Sequence, residues 1–143
     1  MRILVDADSC PVKNIILKIA KKYNIPVIMF CDTSHILNDG YSMIVTVDKG
    51  ADSVDIALAN KITSSDIAVT QDYGVAALVL GKGAKALNQN GMVYCRENID
   101  LLLFERHLSK KVRRGGGRLK SIPPRAHEDD LAFENALLKL IVD

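Results

Sequence analysis

The chain has 143 residues, 48% of them hydrophobic and 25% charged, with a formal net charge of +2. Such a chain can bury an ordinary core as one domain over residues 1–143, without disulfide or metal staples. No apolar run reaches the ~20 residues of a membrane span, and so small a net charge says nothing by itself about a nucleic-acid partner.

Ile3–Val5 reads as a short strand that runs straight into two carboxylates, Asp6 and Asp8. Asp8 or Ser9 can cap the helix that follows, and Pro11 suits a first helical turn, where a missing N–H does no harm. Val12, Ile15, Ile16, Ile19, Ala20 and Tyr23 recur at helical spacing, with Lys13, Lys18, Lys21 and Lys22 at other positions. Asn24-Ile25-Pro26 ends that helix. The unbroken apolar run Val27–Cys31 fits a strand buried on both faces. A polar loop over 35–41 contains Asn38-Asp39-Gly40 as turn chemistry, and Met43–Val47 is a third strand.

Gly50 permits a bend into a second helix, whose start carries Asp52 and Asp55 on one face. Acids at that position also suit the helix dipole. A fourth strand is expected over Asp66–Thr70, then Gln71-Asp72 and a helix through Val79. The glycine-rich stretch 81–91 leads to an expected fifth strand at Met92–Cys95. A helix from Glu97 to about Leu108 follows. From Arg106 to Arg125 there are eight basic residues and no acid, with Gly115-Gly116-Gly117 inside, as in a flexible basic segment. A final helix covers about 129–142.

Strands alternating with helices give an α/β fold with a parallel sheet. Right-handed crossovers place the strand exits at one edge, where ligands bind in such folds. Asp6, Asp8, Asp48 and Asp72 fall on that edge, with Asp52 and Asp55 on the adjoining helix start. Crowded carboxylates stay ionised only beside a cation, and an oxygen-only set suits Mg²⁺ or Mn²⁺. Such a metal could activate water for phosphodiester hydrolysis, while the basic segment held the backbone of a nucleic acid, RNA in the first instance, without reading its sequence. Each acid has a plainer use as a helix cap, and the basic run has one as a solvated arm. His35, His107 and His127 have no metal-ligand spacing. Cys10, Cys31 and Cys95 are expected to be free thiols of a cytoplasmic protein, Cys10 a buried one.

Three strings, VDADSCPVK (5–13), VDKGADSVDIAL (47–58) and VTQDYGVAAL (69–78), resemble the bacterial YaiI/YqxD family, which is similar in turn to PIN and NYN nuclease-like domains. The likeness extends over nearly the whole chain. It implies a PIN-like three-layer sandwich with a mainly parallel five-stranded sheet of order 3-2-1-4-5. By resemblance, Asp6 is the first-strand aspartate. Asp52 and Asp55 form the D-x-x-D at a helix start, and Asp72 closes a T-x-D in which Thr70 supports the site. Asp8 belongs to the family's own D-A-D, and Arg114 to its basic-glycine segment.

Three functions are therefore expected to compete. The first is a metal-dependent nuclease in which Asp6, Asp55 and Asp72 ligate the ion and Asp8 or Asp52 completes the site, with Ser9 and Thr70 in support. Lys13, Arg113, Arg114, Arg118, Lys120 and Arg125 would meet phosphates. The second is a non-catalytic nucleic-acid-binding module of the same fold. The third is a D-x-D phosphatase with Asp6 as nucleophile and Asp8 as acid.

Overall fold

The computed structural model describes residues 1–8, 10–33, 37–50, 52–114 and 124–143, except for the side chains of 112–114. Among the described residues the elements run β1 (Ile3–Asp6), α1 (Lys13–Tyr23), β2 (Val27–Asp32), β3 (Met43–Val47), α2 (Ser53–Lys61), β4 (Ile67–Val69), α3 (Tyr73–Gly81), β5 (Lys85–Leu87), α4 (Arg96–Arg114) and α5 (His127–Val142). The five strands form one sheet of order β3-β2-β1-β4-β5, and every neighbouring pair is parallel. This is the α/β sandwich and strand order that the resemblance implied.

β1 lies at the centre, and its alternation divides the core. Ile3 and Val5 face one layer with Ile16 and Ile19 of α1 and Phe133 and Leu137 of α5. Leu4 faces the other, with Leu58 of α2, Val75 and Val79 of α3, and Ile99 of α4. Successive strand residues point to opposite faces, so a strand covered on both must be apolar throughout. That is why Ile3, Leu4 and Val5 are all fully buried.

At the amino edge of the sheet Asp66 is buried and paired with Arg2 at 2.7 Å. Its carboxylate also accepts bonds from the Thr63 backbone and hydroxyl. Burial alone would push the Asp66 pKa up, but these bonds outweigh it and hold the group below its usual range.

Two boundaries differ from the sequence expectation. The fifth strand is Lys85–Leu87, inside the glycine-rich stretch. Met92–Cys95 contributes only an isolated antiparallel bridge from Val93 to Leu87. Gly83, at φ +78°, turns the chain back beside β4, and the small residues Ala84 and Ala86 pack in the core where larger ones would announce a strand. α4 continues through Arg114, beyond the end expected near Leu108.

α5 is docked by polar contacts as well as by Phe133. The Arg125 guanidinium donates to Asp130, to Asn90 and to the Gln89 carbonyl, and Lys18 pairs with Glu134 at 2.8 Å. Gly91, at φ +85°, lies against the α5 backbone, and a Cβ there would overlap the Ala132 carbonyl. No helix among the described residues is long and apolar enough to cross a membrane.

Candidate functional site

The acids at the carboxyl edge come from three turns, as the parallel topology requires. Asp6 is the last residue of β1, and its carboxylate accepts from the Thr70 hydroxyl at 3.3 Å. The same Thr70 Oγ1 accepts from the Asp72 backbone N–H at 3.1 Å. The Thr70 carbonyl in turn accepts from the buried Tyr94 hydroxyl at 3.1 Å. Thr70 therefore joins the ends of β1 and β4. Asp72 caps α3, with Oδ1 accepting from the Val75 N–H at 3.1 Å, and Arg106 Nη1 of α4 stands 3.9 Å from that oxygen. Asp55 lies in the first turn of α2. Asp52, the residue before that helix, takes the left-handed conformation at φ +64°.

The electrostatics follow from burial and crowding. Burial raises the Asp6 pKa to about 6, and the charges of Asp55, Asp8 and Asp72 push the same way against the Thr70 hydrogen bond. Asp55 is also raised, by burial first and then by Asp72 and Asp52, while Arg106 opposes the shift. Asp55 and Asp72 stand close enough for the charge of Asp72 to disfavour ionisation of Asp55. Arg106 relieves part of the repulsion within the cluster.

Asp52, Asp55, Ile56, Asp72, Gly74, Val75, Leu78 and Arg106 line a groove of about 350 Å³. Asp8 is turned elsewhere, with Oδ2 accepting from the Asp32 N–H of β2 at 3.2 Å.

This arrangement corrects the metal expectation. Among the described residues no group of three His, Cys, Asp or Glu could hold a metal ion. Asp6, Asp55 and Asp72 come within electrostatic reach of one another, but one oxygen of Asp6 and one of Asp72 already serve as acceptors within the fold. Asp6 is bonded to Thr70, and Asp72 to the start of its own helix. A shell completed by Asp8 or Asp52 is equally missing. The expected clustered-aspartate nuclease, with its Mg²⁺ or Mn²⁺ and its metal-dependent hydrolysis, is therefore overturned by the absence of such a group among the described residues.

Among the residues expected to meet phosphate, Lys13 donates to the Ala7 carbonyl at 3.3 Å and lines a second groove of about 280 Å³ with Asn14, Leu17 and Asn38. Arg125 is occupied in docking α5. Arg113 and Arg114 belong to α4, but their side chains lie outside the described set; Ser9, His35, Arg118, Lys120 and Gly115-Gly116-Gly117 lie outside the described residues altogether. Cys10 is a buried free thiol, as expected.

Two contributors were not singled out from the sequence, Arg106 and Tyr94. Arg106 follows the core-facing Leu102 and Leu103 by one helical turn, which places it over α3. Tyr94 carried no such signal, because the strand expected around it does not form.

A parallel α/β sheet with an acidic edge and a basic helix end beside it defines the class. The chain belongs to the YaiI/YqxD family, described as an uncharacterized BCR, whose model matches residues 4–143. It is 67% identical over 141 residues to a UPF0178 protein of Ruminiclostridium cellulolyticum, covering 99% of this chain and 92% of that protein. It is 53% identical over 143 residues to one of Clostridium kluyveri, covering 100% and 94%. Among solved structures, Rae1 (YacP) of Bacillus subtilis aligns over 98% of this chain and 92% of its own, at 15% identity and a TM-score of 0.47.

Proposed function

We propose that the protein is a non-catalytic nucleic-acid-binding module of PIN-like fold, which grips the phosphate backbone with the basic half of α4 and the segment after it. The supporting observation is the segregation of charge. Eight of the 19 basic residues fall in 106–125, where there is no acid. Lys110 and Lys111 stand exposed on the second half of α4, one turn beyond Arg106. Lysines presented in this way act as point charges toward phosphates and carry no sequence information.

Arg106 has a different task. Its charge offsets Asp72, so the acidic groove repels a polyanion less than its aspartates alone would. Lys13, Arg113, Arg114, Arg118 and Lys120 are the further phosphate contacts of this proposal.

The test is fluorescence anisotropy with a labelled single-stranded RNA, and a DNA of the same sequence, over a range of salt concentrations. Affinity should fall linearly on a log–log plot, and Lys110→Ala with Lys111→Ala should flatten the slope by about 1.4. Absence of salt-sensitive binding to either nucleic acid refutes the proposal.

A further inference from the structure

α4 has a second face that the core does not use. Ile99, Leu102 and Leu103 pack inward. On the opposite side Leu101, Phe104 and Leu108 are exposed at 57%, 56% and 44%. Their spacing of three and four residues is that of a helix–helix seam. Exposed leucines occur singly on any protein, but a stripe centred on a phenylalanine is a contact surface.

The charges flanking the stripe indicate what covers it. Glu97 and Asp100 lie beside the stripe toward the start of α4, and Lys111 lies beside it toward the end. Phe104 is the midpoint, with Glu97 seven residues before it and Lys111 seven after. If the helix is laid antiparallel on a copy of itself about Phe104, Glu97 of each copy meets Lys111 of the other. Leu101 of each then falls beside Leu108 of the other. Parallel pairing would instead set acid against acid and base against base.

We infer that two copies of this chain associate through an antiparallel, two-fold pairing of α4 centred on Phe104. Such an interface is self-complementary, the commonest form of protein dimer. Its apolar centre is three side chains from each copy, small for a permanent assembly, so the dimer is of the weak, concentration-dependent kind, with a dissociation constant of about 10 µM.

Sedimentation velocity between about 1 and 100 µM should show the full-length protein passing from monomer to dimer. Phe104→Asp, at an exposed position and with folding checked by circular dichroism, should weaken association by at least about 100-fold. Glu97→Lys and Lys111→Glu should each weaken it by about tenfold, since each places two like-charge pairs across the two-fold axis. The two changes together should restore it to within about threefold. A protein that stays monomeric throughout the range, a dimer that Phe104→Asp leaves intact, or a double exchange no tighter than its single variants would each overturn the inference.

Discussion

Asp6→Asn should make the protein more stable at neutral pH, although it alters the residue around which the site is built. In the unfolded chain Asp6 titrates near 3.8, and in the folded protein near 6. Below the first value the carboxyl is protonated in both states, and above the second it is ionised in both. Between them the folded state holds a proton that the unfolded state has lost, so stability falls as pH rises through that window. At about 1.4 kcal/mol per pH unit the full cost of ionising Asp6 is about 3 kcal/mol, and solvent screening of a partly exposed group reduces it to about 1–2 kcal/mol. Asparagine resembles the protonated acid, can still accept from Thr70, and never ionises. The variant should match the wild type near pH 4 and exceed it by about 1–2 kcal/mol above about pH 7, equivalent to about 3–8 °C in Tm. Urea unfolding of both proteins at steps across this range measures the difference directly. A variant less stable than wild type at neutral pH, or a difference that does not change with pH, would refute the electrostatic account of the edge.

Two further substitutions probe the frame that holds the site. Gly91→Ala should cost about 2–4 kcal/mol in urea unfolding, because its φ of +85° disfavours a side chain and the added methyl would drive the turn off the α5 backbone. Arg2→Ala should cost about 2–3 kcal/mol at neutral pH, since Asp66 keeps its Thr63 bonds but loses its counter-charge. Asp66 has a depressed pKa, so its contribution is present above the ordinary carboxylate value and is lost as pH falls through the folded one. The Arg2→Ala deficit should therefore shrink on acidification, and a deficit that is constant with pH would assign Arg2 a packing role instead.

The first four strands were legible because each is an apolar run bounded by turn residues, and β1 ends where its carboxylates begin. The edge itself followed from parallel topology alone: Asp6, Asp55 and Asp72 do converge enough to perturb one another. Spacing could not reveal where each oxygen points. That Asp72 caps its own helix beside Arg106 rests on contacts of 3.1 and 3.9 Å that no motif encodes. β5 was misplaced because a three-residue strand has too few positions to show alternation, and glycines on both sides read as loop. The end of α4 was missed for a related reason. Its last turns carry lysine and arginine, which form helix readily but show no apolar periodicity.

The most direct test of the central claim is one RNA titration performed in chelator and in Mg²⁺, with wild type and Asp72→Asn side by side, followed by electrophoresis of the recovered RNA. Salt-sensitive binding in all four samples, no weaker for Asp72→Asn than for wild type under the same ions and with the RNA intact, is the predicted result. RNA cleaved by the wild type in Mg²⁺ and spared in chelator or by Asp72→Asn would contradict it.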